Sequence, residues 1–172
     1  TTLFRSGGAV YCEGGETSTF LNCVFEDNSA GDSGGAVYAV GAPPYFQDCL
    51  FAGNGSGRRG GAVVHGEGTA AGYLRCSFTG NTCDKEGGAL YNETGSDAVI
   101  RKSLFTENES GTRGGAVYNH SDSGFLALNS LFAGNHSGIH GGAIHNKTAG
   151  PVLVNCTVTR NSAVNRGGAV YN

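Results

Sequence analysis

The apolar residues of this chain fall in short clusters that recur at a fixed interval. Gly-Gly-Ala followed by Val, Leu or Ile occurs seven times, with first glycines at Gly7, Gly34, Gly60, Gly87, Gly114, Gly141 and Gly167, spaced 26 or 27 residues apart. A second cluster, Phe-x-x-Asn, keeps the same rhythm: Phe25/Asn28, Phe51/Asn54, Phe78/Asn81, Phe105/Asn108 and Phe132/Asn135, with Val158/Asn161 as a conservative sixth copy. The step from the Phe position to the next Gly-Gly is nine residues every time. All variation in length therefore falls between Gly-Gly and the next Phe, 18 residues in four turns and 17 in two. The two short segments hold all three prolines, Pro43, Pro44 and Pro151, which marks that side as loop-bearing.

A period of this size indicates a solenoid, a propeller or an array. Propeller blades and helical repeats are longer, two glycines per period disfavour a helix, and no 3.6-residue apolar stripe is present. The Leu-x-x-Leu-x-Leu signature of leucine-rich repeats is also missing. What remains is an all-β fold, a single-stranded right-handed parallel β-helix (β-solenoid) of about six turns, each of 26–27 residues. In such a coil each residue lies ~4.8 Å above its counterpart one turn back, so like stacks on like. The phenylalanines then form an aromatic column, and Val10, Val37, Val63, Leu90, Val117, Ile144 and Val170 form a second apolar wall. The glycine two residues before that wall permits close backbone approach. The Asn column is expected at a sharp bend, in the left-handed conformation that Asn tolerates, with each amide donating to the next turn.

Composition narrows the setting. Glycine, at 31 of 172 residues, is roughly two and a half times its usual ~7% share. Charged residues make up 15%, the net charge is −3, and Lys and Arg are scattered, so no basic face for nucleic acid is expected. No apolar run is long enough for a membrane-spanning helix and no signal peptide is visible. Cys23, Cys49, Cys76 and Cys156 share an inward column with Ser103 and Ser130, while Cys12 and Cys83 lie outside it. Exchange with serine reads as small core residues and mostly free thiols.

The pairing of Gly-Gly-Ala-Ile-like and Phe-x-x-Asn motifs resembles the passenger repeats of the polymorphic outer-membrane proteins, surface adhesins of chlamydiae. The resemblance covers essentially the whole chain. It implies a β-helix, an extracellular or cell-surface location and an adhesive role.

Candidate chemistry is sparse. Gly31-Asp32-Ser33-Gly34-Gly35 spells the surroundings of a serine-protease nucleophile, but its Gly-Gly belongs to the repeat and the preceding pair varies freely, as in Arg58-Arg59, Lys85-Glu86 and Ile139-His140. His65 and His145 fall at neighbouring places in their repeats, and His120, His136 and His140 crowd the later turns; these read as surface variation, not zinc ligands. Calcium would want an Asp-rich repeat that is absent. No cofactor is expected. Seven Asn-x-Ser/Thr sequons occur, of which Asn92, Asn119 and Asn146 follow the Gly-Gly-Ala strand and are expected to be exposed, possible sites of glycosylation.

The expectation is a single β-helix domain over residues 1–172, a fragment of a longer coil or a fibre subunit. It would serve as a structural protein of the cell surface or an extracellular filament, self-associating through open ends of the coil, with adhesion to a host or cell-surface glycan or protein as the neighbouring role. The alternative is a carbohydrate-active enzyme on the same scaffold, for which Asp27, Asp48 and Glu107 are the carboxylates available and which would need a clustered pair with Lys or Arg in a lateral groove.

Overall fold

The computed structural model describes residues 6–148 and 150–172, and every strand pairing within them is parallel. The chain coils as a β-solenoid of about six turns with four sheets along its length. One turn shows the plan: Leu90–Asn92, Ala98–Arg101, Leu104–Thr106 and Glu109–Ser110, each hydrogen-bonded to the same segment one turn before and one turn after. The first sheet, which follows Gly-Gly-Ala, has seven strands from Val10–Glu13 to Val170–Tyr171; the other three have six each. Register follows the repeat, Phe78 lying against Phe51 and Phe105, and Leu90 against Val63 and Val117. No helix long and apolar enough to cross a membrane occurs among the described residues.

Corners are set by left-handed backbone at three places that recur in every turn, and a fourth is added after the first-sheet strand at Gly14, Gly41, Gly68, Gly95 and Asp122. The first glycine of each Gly-Gly has φ between 56° and 73°. Its partner does different work: a Cβ on Gly88 would collide with the carbonyl oxygens of Gly115 and Glu109, so successive turns meet backbone to backbone there. A second left-handed column precedes the Cys/Ser positions and consists of Asn22, Asp48, Arg75, Lys102, Asn129 and Asn155, φ 52–54°. The third comprises Asp27, Gly53, Gly80, Glu107, Gly134 and Arg160. The left-handed residue thus sits one position before the ladder Asn and not at it, which corrects the expectation for that column. Each non-glycine residue held this way costs about 1–2 kcal/mol, and the bonded neighbours above and below hold it there.

The core is a set of columns. The rings of Phe25, Phe51, Phe78, Phe105 and Phe132 stack with centroids 4.5–4.9 Å apart and planes within 11°. Beside them Phe20, Phe46 and Tyr73 form a second stack, whose rings meet the first edge to face, as Phe46 does Phe51 at 5.2 Å and 75°. That geometry suits the ring quadrupole. Volume is conserved within a turn: Ala71 with Tyr73 and Ala98 with Ile100 give way to Phe125 with Ala127, so the large residue changes place and the core stays filled.

The Asn column closes the corner after the Phe strand. Asn81 Nδ2 donates to Asn108 Oδ1 (2.9 Å) and to Phe51 O (3.0 Å), while its backbone N–H donates to the same Asn108 oxygen (3.1 Å). The pattern repeats at Asn54, Asn108 and Asn135, and the column runs from Asn28 to Asn161. All six cysteines are free thiols. Cys49 and Cys76 point inward and donate to backbone carbonyls, and Ser103 and Ser130 do the same with hydroxyls. Burial pushes the Cys76 thiol up to about 11, which keeps it protonated and unreactive at neutral pH.

Three substitutions test these contributions. Phe78→Ala, in the middle of the stack, should destabilise by about 3–5 kcal/mol in urea or thermal unfolding. Gly87→Ala and Gly88→Ala should each cost more than the ~1–2 kcal/mol of left-handed strain alone, because a Cβ on the first meets the Leu90 carbonyl of its own turn and one on the second meets the carbonyls of Gly115 and Glu109 on the next. A loss no larger than that at either glycine would contradict the close backbone approach.

Candidate functional site

The site is built from the first sheet, where strand alternation sends one column inward and the next outward. Inward, after the apolar wall, come Cys12, Ala39, His65, Asn92, Asn119 and Asn146 in register. The exposure expected for Asn92, Asn119 and Asn146 is therefore overturned: all three are at most 1% exposed. Their amides form a second ladder, Asn92 Nδ2 to Asn119 Oδ1 at 2.6 Å and Asn119 Nδ2 to Asn146 Oδ1 at 2.7 Å. His65 begins it. Because Asn92 spends its Nδ2 donor on Asn119, its Oδ1 accepts from His65 Nδ1–H, which leaves His65 Nε2 to accept from the Tyr73 hydroxyl at 2.7 Å. Full burial lowers the His65 pKa to about 4 and keeps the ring neutral.

Outward on the same strands lies a column of rings. Tyr91 and Tyr118 stack at 5.0 Å, Tyr118 and His145 at 5.0 Å, and His145 and Tyr171 at 5.0 Å. Val64 interrupts the column one turn earlier, and the Arg59 guanidinium fills that gap, 5.1 Å from the centre of the Tyr91 ring. One wall is the residue just before Gly-Gly on each turn: Arg59, Glu86, Arg113, His140 and Arg166, bridged turn to turn. The opposite wall is the residue just after the inward Asn: Glu93, His120 and Lys147. Between them runs a lateral groove, about 480 Å³ where Tyr118 and His145 lie in its floor and about 220 Å³ toward Glu67 and Glu93. Its ion pairs join Arg113 to Glu86 (3.0 Å) and Arg59 to Glu93 (3.4 Å). Lys147 Nζ donates to His120 Nε2 (3.1 Å), whose Nδ1–H then donates to Thr94 Oγ1 (2.9 Å).

Comparison with known families adds one finding. The Chlamydia polymorphic membrane protein repeat matches four times, at residues 22–40, 75–93, 102–120 and 129–147. The chain carries polymorphic membrane protein repeats. Each match runs from the corner before the Cys/Ser column through Phe-x-x-Asn and Gly-Gly-Ala to the end of a first-sheet strand, so the groove walls from Glu86 to Lys147 fall in matched segments while Arg59 and Tyr171 lie outside them. No curated protein and no solved structure matches the chain.

The remaining residues singled out in the sequence do not gather around the polymorphic membrane protein groove. Ser33 is buried, its hydroxyl bonded to Asp32 at 3.1 Å, with no histidine on it. Asp48 pairs with Arg75 on the next turn at 2.6 Å, which holds its carboxyl below the usual range. Asp27 and Glu107 share a different corner, three turns apart, so the three carboxylates form no cluster. His136 lies in the short sheet, bonded to Ser162. Among the described residues no group of three or more His, Cys, Asp or Glu could hold a metal ion.

Two outcomes follow for these polymorphic membrane protein repeats. His65 titrates near 6.5 when unfolded and near 4 when folded, so the neutral ring's contribution is complete above about 6.5 and lost as pH falls toward 4. Thermal unfolding across that window should show His65→Asn relieved of about 2–3 kcal/mol of acid destabilisation; an unchanged pH slope would contradict the burial argument. Secretion through a glycosylating host should yield folded protein modified at the exposed Asn155 and unmodified at Asn92, Asn119 and Asn146. Mass spectrometry of tryptic glycopeptides reads this directly.

Proposed function

We propose that this chain is a structural β-solenoid of the bacterial cell surface whose lateral groove is used for adhesion. The supporting observation is where the repeat varies. The Phe, Phe-x-x-Asn and Gly-Gly-Ala columns keep one kind of residue over most turns, whereas the groove walls change at every level: Arg59, Glu86, Arg113 and His140 on one side, Glu93, His120 and Lys147 on the other. A constant coil that displays variable side chains in a shallow concave strip is how repeat proteins make recognition surfaces. The binding of labelled chain to cultured epithelial cells tests this: saturable binding, competed by unlabelled chain and lost with groove substitutions that leave the circular dichroism intact, supports it. Binding that never saturates, or that ignores the groove, refutes it.

End-to-end association belongs to the same proposal. Among the described residues, strands Val10–Glu13 and Val170–Tyr171 each pair on one edge, and unpaired strand edges recruit further strands. Sedimentation should show species that lengthen with concentration, and a monomer at every concentration would remove this element. The rival reading, a carbohydrate-active enzyme, draws on Glu67 and Glu93 beside Arg59 in the groove. Glu93 is tied to Arg59 and Glu67 is exposed, so neither is set in the apolar pocket that makes a carboxyl a proton donor. Incubation with polysaccharides should release no new reducing or unsaturated ends.

A further inference from the structure

We infer that the wider half of the groove binds a linear glycan that carries a carboxylate on alternate sugars. This names a ligand for the adhesive groove and rests on that reading.

Periodicity comes first. The groove presents equivalent positions at each turn, about 4.8 Å apart, so the ligand that matches it is a polymer extended along the coil. Charge sets the polymer's chemistry. In the column that forms one wall Arg59, Arg113 and Arg166 stand at alternate levels, with Glu86 and His140 between them; Arg59 and Arg113 line the groove, and Arg166 occupies the level just beyond it. Two turns make about 9.6 Å, close to the length of an extended disaccharide. Across the groove Lys147 adds a further cation; among the described residues Glu86 is the only carboxylate lining this half, held by Arg113 at 3.0 Å, while Arg59 reaches Glu93 at 3.4 Å in the narrower half. Lys147 and Arg166 have no carboxylate partner among the described residues. An anion spaced at every second sugar would meet this row of cations in step, with the guanidinium of Arg113 able to grip a carboxylate by its remaining N–H groups.

The floor supplies hydrogen bonds. The stacked rings present their edges outward, so the groove sees a row of phenol and imidazole polar atoms suited to sugar hydroxyls. Burial raises the Tyr118 hydroxyl to about 12 and keeps it a donor. His145, 5% exposed, and His140 each hold a buried Nδ1 with no hydrogen-bond partner. Both atoms are sealed from the groove, so the hydrogen bond that the floor offers a sugar comes from the Tyr118 hydroxyl.

The test titrates hyaluronan octasaccharide and a chitin hexasaccharide onto the purified chain by calorimetry. Hyaluronan should bind, the neutral chitin fragment at least ~tenfold more weakly, and rising salt should weaken the first alone. Lys147→Gln, at an exposed position, and Arg113→Gln should each weaken hyaluronan about tenfold, with circular dichroism unchanged. Failure of hyaluronan to bind, equal binding of the chitin fragment, or indifference to Lys147→Gln overturns the assignment. Cell binding by the same proteins separates the two readings: a chain that adheres to cells yet ignores hyaluronan defeats the glycan assignment and leaves adhesion standing, whereas one that does neither defeats both.

Discussion

Every feature of this molecule depends on the hydrogen bond that a side-chain amide makes to its own counterpart one turn away. An Asn carries both a donor and an acceptor, so a column of them can be satisfied indefinitely by repetition. In the Phe-x-x-Asn corner the amide also captures a backbone carbonyl of the preceding turn, at Phe51, Phe78 and Phe105 among others. The bond fixes rise and register together. Once it does, rings must lie over rings and glycine over glycine, and a slip of one residue would turn the Phe column to solvent.

Function is built on the opposite face of the same arithmetic. Because the interior is a set of repeated contacts, positions that point outward are free to differ without disturbing their neighbours. The polymorphic membrane protein repeat uses this freedom along one strip, where a floor of stacked rings supports walls whose charge changes from level to level. The carboxylates and cations of the groove are mostly tied to one another, at Arg113–Glu86 and Arg59–Glu93. That arrangement suits recognition of an extended partner better than proton transfer.

Much of the coil was legible in the sequence because identity at a fixed interval is itself the structural signal. The Phe column, the Phe-x-x-Asn ladder and the close-approach glycine could be placed by counting. The second aromatic stack could not: Phe20, Phe46 and Tyr73 give way to Ile100 and Ala127, with Phe125 taking over two residues away on the same inward face, so volume is conserved while residue type is not. The inward turn of Asn92, Asn119 and Asn146 had a signal that was available, since they too recur every 27 residues. Their Asn-x-Ser/Thr context drew attention to the surface instead. The groove needed coordinates, because its walls come from residues before Gly-Gly and after Asn that share no type and meet only when the strand between them is laid flat.

The most direct test of the account is a double-mutant cycle on the ladder, comparing Asn81→Ala and Asn108→Ala, one turn apart, with Asn54→Ala and Asn135→Ala, three turns apart, by urea unfolding. If amide-to-amide bonding holds the turns in register, the adjacent pair will show a coupling of about 1–2 kcal/mol and the distant pair less than about 0.5 kcal/mol. Additive losses at both pairs would mean that the amides serve their own corners alone and that something else sets the register.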